Sequence, residues 1–237
     1  GGRGARGALL RAAPALAVAG LAPQARAAPL AGLWPAFVTV ILSELGDKTF
    51  FVAMILSLKR GKTRALSSSL TALYAMTVIS TGLGIAVKSF PSALQGGESA
   101  VQLLGALLFA FFGASSLLQA RTARQVAQEE RSEADEQVQE TLKEAEKDGG
   151  WREWWQCVVL VFIAEWADRS MLAQIALAAT WNPVGVVIGG LLGHTLATGC
   201  AVYGGDVLNA YIDDVTAKVI GGVLFLVFSV TTLAGVY

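Results

Sequence analysis

Glu44-Leu45-Gly46-Asp47-Lys48-Thr49 lies inside one long apolar run of this 237-residue chain, and Glu165-Trp166-Ala167-Asp168-Arg169-Ser170 lies inside another. We call residues 44–49 the first hexad and residues 165–170 the second hexad. Both present carboxylate, carboxylate, cation and hydroxyl in the same order and at the same spacing. An ionisable side chain at the centre of a membrane helix costs about 2.5–3.5 kcal/mol on insertion scales. Because the chain places six such groups in its apolar runs, we interpret the hexads as functional.

The composition around the hexads is typical of a membrane protein. Hydrophobic residues make up 54% of the chain and charged residues 15%, and the mean hydropathy is +0.55. These values are too apolar for an ordinary soluble domain, so we predict a lipid bilayer as the surroundings and no nucleic-acid partner. Cys157 and Cys200 both lie in apolar segments, which argues against a disulfide framework or a thiolate metal site.

Six apolar segments approach or reach the length of about 20 residues that a membrane-spanning helix needs. They cover approximately residues 33–58, 65–87, 100–118, 155–179, 184–203 and 219–237. The strict alternation of apolar and polar residues that marks barrel strands is absent from the sequence of these segments, so helices are the expected spanning elements. The predicted fold is therefore an all-α polytopic membrane protein with six transmembrane helices.

The two halves of the chain repeat each other. An offset of 121 residues carries the first hexad onto the second and Thr77 onto Thr198, and an offset of 116 aligns the third apolar segment with the sixth. Three helices per half is an odd number, so the second half must enter the membrane from the opposite side, as in inverted-repeat transporters. We therefore predict two inverted three-helix repeats, 33–118 and 154–237, joined by a charged hydrophilic linker at 119–153.

The segments outside the repeats carry signals of their own. Residues 1–30 are rich in alanine, glycine and arginine and contain no acid, so we interpret them as a targeting-like leader. The short loop 59–64 has four positive charges and should face the cytoplasm or its equivalent compartment. The linker is rich in helix formers and predicts a solvated, partly helical segment, and a regulatory or docking role for it stays open. Its thin apolar stripe consists of Val126, Val138 and Leu142.

The hexads supply the side chains of a candidate ion site. On a continuous helix, positions i, i+3 and i+4 share one face, so Glu44, Asp47 and Lys48 should point the same way, as should their counterparts. An inverted repeat can bring the two faces together near the bilayer midplane. Carboxylate and hydroxyl oxygens suit hard divalent cations such as Ca²⁺, Mn²⁺ or Mg²⁺. The candidate metal ligands are Glu44, Asp47, Thr49, Glu165, Asp168 and Ser170.

Lys48 and Arg169 are the candidate charge-balancing residues. Four carboxylates and two cations leave a formal charge of −2, which one divalent ion or two protons neutralise. A site that must be neutral to move through a low-dielectric core can therefore exchange one divalent cation for two protons. This coupling requires both cations to stay near the carboxylates rather than extend towards the membrane surface.

Four further polar residues are weaker candidates for lining the same cavity. Thr77 and Thr198 occupy equivalent positions, although a threonine hydroxyl also bonds readily to its own helix backbone. His194 is the only histidine of the chain, and it predicts either a proton relay or an interhelical hydrogen bond. Gln174 follows Asp168 by six residues and is a candidate additional ligand.

At the hexads the sequence resembles the GDT family of small cation/proton exchangers, which carry paired E-x-G-D-[KR]-[ST] motifs in two three-helix repeats joined by a charged loop. The resemblance covers roughly residues 33–237. It implies transport of Mn²⁺ and Ca²⁺ with protons as the counter-ion, rather than an enzymatic activity or a prosthetic cofactor. By motif position, the hexad carboxylates and hydroxyls inherit the ion-binding role, and Lys48 and Arg169 inherit the basic positions. Ala167 replaces the glycine of the second motif, which puts the fine geometry of the site in question.

The photosynthetic branch of this family supplies manganese across plastid envelope or thylakoid membranes. The leader and the composition are compatible with a chloroplast location, in the thylakoid or the inner envelope, and a Golgi or bacterial inner membrane is the alternative. A homodimer is also compatible with the pattern. Two other functions fit the same residues, namely a non-transporting scaffold or assembly factor whose charged pairs only lock helices, and a passive divalent-cation channel. Only an exchanger couples cation flux to a pH gradient.

Overall fold

A computed structural model describes residues 28–89, 98–145, 150–211 and 214–234, excluding the side chains of residues 98–99 and 205–214. Every regular element in these ranges is a helix, which confirms the all-α prediction. Most of the leader predicted at 1–30 lies outside the described residues. The helices are α1 (Leu33–Glu44), α2 (Lys48–Arg60), α3 (Lys62–Ser89), α4 (Glu98–Gln119), α5 (Ala123–Ala145), α6 (Gly150–Glu165), α7 (Arg169–Thr180), α8 (Pro183–Tyr211) and α9 (Asp214–Leu233).

Four helical stretches of the described residues are long and apolar enough to cross a bilayer by themselves. They are Lys62–Ser89, Ala100–Ala145, Pro183–Gly204 and Val215–Leu233. In the second of these, the apolar part lies in α4, because residues 121–145 are rich in charge. The prediction of one continuous spanning helix over 33–58 and another over 155–179 is wrong. Each of these segments consists of two short helices that meet at a hexad, α1 and α2 in the first half and α6 and α7 in the second.

Both helix breaks have the same local cause. The backbone enters the left-handed region at Gly46, with φ +74°, and at the equivalent Ala167, with φ +64°. Glycine adopts this region freely, whereas a residue with a Cβ is strained there. Asp47 and Asp168 then occupy the N-cap positions of α2 and α7 with an extended backbone, a position that aspartate favours. A left-handed residue followed by an N-cap aspartate therefore ends one helix and starts the next.

The second helix of each half packs against the broken helix of the other half. α8 contacts α1 and α2, and α3 contacts α6 and α7. Gly185, Gly189 and Gly193 recur every four residues on the face of α8 that meets α1 and the residues just before it. A Cβ added at Gly189 would lie 2.2 Å from the carbonyl oxygen of Leu33, and one at Gly193 would lie 2.9 Å from the Val40 side chain. These glycines let the two backbones touch, as small residues do in membrane helix pairs.

The last helix of each half, α4 or α9, packs against its counterpart through phenylalanines that the 116-residue offset relates. Phe109 stacks on its equivalent Phe225 at a centroid distance of 6.2 Å. The same offset makes the Phe109–Phe228 pair equivalent to the Phe112–Phe225 pair. The ring centroids are 6.0 Å apart in both pairs. The α4–α9 contact is therefore reciprocal, which is the property of a self-complementary interface.

The linker forms a helix, α5, that packs against protein. It contacts α2 and α6 and buries Ala134, Val138 and Leu142. On its flank, Lys59 Nζ of α2 lies 3.2 Å from Asp135 Oδ1. The predicted apolar stripe is confirmed at Val138 and Leu142, whereas the expectation of a solvated segment is wrong for this face. α5 thus lies against the two broken helices.

Candidate functional site

Each hexad is closed by a hydrogen bond between its glutamate and its hydroxyl residue. Thr49 Oγ1 donates to Glu44 Oε2 at 2.9 Å, and Ser170 Oγ donates to Glu165 Oε1. The glutamates end α1 and α6, whereas the hydroxyl residues lie in the first turns of α2 and α7. These bonds therefore bridge the helix breaks, and the expectation that hexad residues share one face of a continuous helix is wrong.

The glutamates of the two hexads meet each other. The carboxyl groups of Glu44 and Glu165 lie within hydrogen-bonding reach, and the two residues are only 3% and 1% exposed. The 121-residue offset relates them, so each is the counterpart of its partner. Two ionised carboxylates repel strongly in a dry environment. A proton or a cation between them relieves this repulsion.

An arginine joins the second hexad to the first half of the chain. Arg169 Nη2 donates to Asp47 Oδ1 and to the carbonyl oxygen of Ser43, both at 2.9 Å. The guanidinium thus ties the start of α7 to both sides of the α1–α2 break. Together with the Glu44–Glu165 contact, this bridge brings the two hexads into one cluster.

Lys48 is the counterpart of Arg169 but makes a different contact. Its Nζ lies 2.9 Å from Glu133 Oε2 of α5, away from the carboxylates of the hexads. Asp168 caps α7 by accepting from the backbone N–H of Ser170 at 3.0 Å, and it forms no salt bridge with the described residues. With Arg169 as the one hexad cation beside the four hexad carboxylates, the hexad residues of the cluster carry a formal charge of −3. Lys218 of α9 and Glu130 of α5 also act electrostatically on Asp47, and their opposite charges offset each other. The charge of −2 expected from the sequence counted Lys48 with the cluster, whereas its ammonium pairs with Glu133 in the structure.

His194 is the weaker candidate that reaches the cluster. Its Nδ1 lies 3.6 Å from Glu44 Oε1, and its side chain is buried on α8. This distance is slightly longer than a hydrogen bond. His194 therefore lies beside the glutamate pair, where either of its predicted roles can be exercised.

The other weaker candidates line the helix contacts near the hexads. Gln174 of α7 packs against Gly190 of α8, where an added Cβ would lie 2.4 Å from Gln174 Nε2. Thr77 and Thr198 are buried on α3 and α8. Within the described ranges, neither threonine forms a hydrogen bond with a hexad carboxylate. The helices that carry them, α3 and α8, contact each other.

Several buried polar atoms near the hexads have no hydrogen-bond partner among the described residues. They are Glu44 Oε1, Glu165 Oε2, His194 Nδ1, Gln174 Nε2 and Thr77 Oγ1. Buried polar groups are normally paired with protein or with ordered water, so the two glutamate oxygens are available to a guest cation. No group of three or more His, Cys, Asp or Glu side chains in the described part of the chain is already arranged to hold a metal. The cluster therefore offers oxygens that a cation can gather, rather than a finished cage.

Comparison with known proteins identifies the family. Residues 32–124 and 153–237 match the family model described as "Divalent cation/proton antiporter GDT1". The chain belongs to the GDT1 family. The GDT1 family is one of transporters and not of enzymes. The interval between the two matched parts, 125–152, contains most of α5.

Plant members of the GDT1 family are similar over most of the chain. The Protein PAM71-homolog, chloroplastic, of Arabidopsis thaliana is 38% identical over 217 residues, which cover 87% of this chain and 60% of that protein. GDT1-like protein 2, chloroplastic, of Oryza sativa subsp. japonica is 39% identical over 227 residues, covering 91% and 65%. GDT1-like protein 3 of Arabidopsis thaliana is 35% identical over 209 residues, covering 84% and 69%. The chain thus spans 60–65% of the length of the two chloroplastic relatives. No solved structure matches it.

Sequence reasoning missed three features of this GDT1-family site. The helix breaks had a usable signal, because Gly46-Asp47 combines a helix stop with an N-cap residue. The Ser43 carbonyl had none, since every residue carries a backbone carbonyl. Glu133 had none either, because it is one acid among many in the linker.

Proposed function

We propose that this GDT1-family chain exchanges divalent cations for protons, with Mn²⁺ as the first candidate substrate and Ca²⁺ as the second. The observation that carries the proposal is the buried Glu44–Glu165 pair, in which equivalent residues of the two hexads face each other at the ends of broken helices. Carboxylate and hydroxyl oxygens suit hard divalent cations. The family assignment independently supports cation/proton exchange.

We further propose that the fold crosses the membrane six times as two inverted three-helix repeats. In this arrangement α1 with α2, and α6 with α7, each form one discontinuous crossing. The 12 and 13 residues of α1 and α2 extend about 38 Å at 1.5 Å per residue, which exceeds the hydrocarbon thickness of about 30 Å. Contacts between equivalent residues support the repeat. Tyr74 Oη and Thr195 Oγ1, related by the 121-residue offset, lie 2.6 Å apart, as expected beside an axis that relates the two halves.

The charge of the cluster favours proton coupling. A formal charge of −3 is neutralised by three protons, or by one divalent cation together with one proton. Changing from one of these neutral states to the other therefore exchanges one divalent cation for two protons. A neutral load is required because a net charge is costly in the low dielectric of the membrane interior. Asp47 stays paired with Arg169 in both loads, so Glu44, Glu165 and Asp168 are the groups that change partner.

We propose a chloroplast membrane, thylakoid or inner envelope, as the location. Two relatives bear the word chloroplastic in their names. The leader predicted at residues 1–30 is of a composition that fits a targeting segment. Fractionation of isolated chloroplasts with an antibody to the chain tests this location.

Transport by the full chain in liposomes tests the proposed function. Mn²⁺ and Ca²⁺ uptake is measured with and without an imposed pH gradient, for the wild-type protein and for Glu44→Gln and Glu165→Gln. Each amide keeps the shape of the side chain but can neither exchange a proton nor attract a cation. We expect both variants to fold and to lose uptake driven by the gradient.

Glu153→Gln is the matched control for these variants. Glu153 is also a buried glutamate of α6, but it lies twelve residues before Glu165 and pairs with Arg60 at 2.7 Å and Arg64 at 3.2 Å. It should lower stability without changing uptake per folded molecule. A scaffold predicts no wild-type flux and a loss of stability in all three variants, and a channel predicts flux that ignores the pH gradient. Either result would refute exchange.

A further inference from the structure

The linker helix holds one of the two hexad cations away from the carboxylates. Arg169 contacts Asp47 and the Ser43 carbonyl across the cluster, both at 2.9 Å. Its counterpart Lys48 pairs with Glu133 of α5 at the same distance of 2.9 Å. The two equivalent cations of the hexads therefore make different contacts. The difference comes from α5, a helix that lies outside both repeats.

Lys48 faces a cavity that is also lined by residues of α6 in the second half of the chain. Lys48 and Ala164 line the same cavity of about 710 Å³. Ala164 is the counterpart of Ser43, whose carbonyl receives Arg169. Asp168 follows Ala164 by four residues and forms no salt bridge with the residues that the structure describes. Ala164, the counterpart of the residue whose carbonyl Arg169 contacts, therefore borders the cavity that Lys48 also lines.

The helix that carries Glu133 is held in place by its neighbours. Ala134 and Val138 are fully buried, and the Lys59–Asp135 salt bridge makes a second link between α5 and α2. Glu133 itself is 62% exposed, and a salt bridge with an exposed partner contributes little to stability. The main effect of Glu133 is therefore the position of a charge.

We propose that Glu133 is a positioning residue that keeps the Lys48 ammonium out of the carboxylate cluster and so sets the negative charge available to the transported cation. The inference rests on the proposed function and deepens it. When Lys48 is released, its ammonium approaches Asp168 as Arg169 approaches Asp47. The formal charge of the cluster then falls from −3 to −2, and its attraction for a divalent cation weakens.

The test compares two salt bridges between the same pair of helices. Mn²⁺ uptake by the full chain in liposomes is measured over a range of Mn²⁺ concentrations for the wild type, Glu133→Gln and Asp135→Asn. Both substitutions remove a link between α5 and α2, but only Glu133→Gln releases Lys48. We expect Glu133→Gln to raise the apparent KM about tenfold, which corresponds to about 1.4 kcal/mol, with a smaller change in maximal rate. Asp135→Asn should keep the KM of the wild type.

A suppressor variant separates positioning from simple structural damage. Lys48→Gln combined with Glu133→Gln should recover most of the affinity, because the released ammonium is then absent. A loss of α5 packing would not be repaired by a second substitution. Equal KM values for Glu133→Gln and Asp135→Asn would overturn the proposal, and so would a double variant as weak as Glu133→Gln.

Glu133→Asp decides the question if Glu133→Gln does not fold. This substitution keeps the carboxylate charge but shortens the side chain by one methylene group. The KM for Mn²⁺ should therefore rise, but by less than the roughly tenfold factor expected for Glu133→Gln. An unchanged KM counts against the proposal. Absence of Mn²⁺ uptake by the wild-type protein would instead refute the proposed function. The two failures are therefore distinguishable.

Discussion

The substitutions Gly46→Ala and Ala167→Gly, one at each helix break, should change the free energy of unfolding in opposite directions. Gly46 has φ +74° and Ala167 has φ +64°, so both lie in the left-handed region. A residue with a Cβ costs about 1–2 kcal/mol there, while replacing glycine by alanine returns about 0.4–1 kcal/mol through the lower entropy of the unfolded chain. Taken at the middle of each range, the net result is a loss of about 0.5–1 kcal/mol for Gly46→Ala and a gain of the same size for Ala167→Gly.

Thermal unfolding of the purified protein in detergent, followed by tryptophan fluorescence, measures these changes. For a chain of this length, 1 kcal/mol shifts the midpoint by about 2–4 °C, so the two variants should differ from each other by about 2–8 °C. Gly61→Ala is the control, because Gly61 has φ +89° and no atom within 4 Å of an added Cβ, and it should lower the midpoint at least as much as Gly46→Ala. A higher midpoint for Gly46→Ala, or a lower one for Ala167→Gly, would refute the assignment of strain to the breaks.

Three further predictions concern packing, charge and pH. Gly189→Ala, whose Cβ would lie 2.2 Å from the Leu33 carbonyl oxygen, should cost about 1–3 kcal/mol in the same thermal assay, whereas Gly199→Ala, with no atom within 4 Å, should cost nothing. Arg169→Gln should abolish gradient-driven uptake and cost about 3–5 kcal/mol, because it leaves a buried carboxylate unpaired; a stable, active variant would contradict the role of the bridge. Burial raises the pKa of Glu130 above its ordinary value, so the stability it contributes at acidic pH is lost as the pH rises through that pKa. The thermal unfolding midpoint of Glu130→Gln should therefore rise relative to that of the wild type between about pH 4 and about pH 8. A difference between the two midpoints that stays constant with pH would exclude this effect.

The hexads could be located from the sequence because charges are conspicuous inside apolar runs. Their repetition at a fixed offset also predicted that the two sets would meet, and the Glu44–Glu165 contact has this form. The helix breaks were missed because hydropathy measures composition, whereas a break depends on φ at a single residue. The glycine at 46 and the aspartate at 47 carried that information, but the apolar length of 33–58 outweighed it.

The destination of Lys48 could not be predicted from the sequence. Lys48 and Arg169 occupy the same position of the repeat, so local pattern assigns them the same role. They differ because Glu133 lies against Lys48, and Glu133 is 85 residues away along the chain. A salt bridge between such distant residues follows from how α5 packs, and no periodicity in the linker specifies which of its acids will face α2.

The glycine contact between α1 and α8 determines which parts of the molecule can travel together. Helices that touch at Gly189 and Gly193 cannot separate without opening voids, which close-packed interiors resist. Because α1 comes from the first half of the chain and α8 from the second, these two helices form one rigid body assembled from both halves. The left-handed residues Gly46 and Ala167 are then the natural hinges. A rocking motion that preserves the α1–α8 contact therefore carries α1 together with α8, rather than moving one half of the chain as a block against the other.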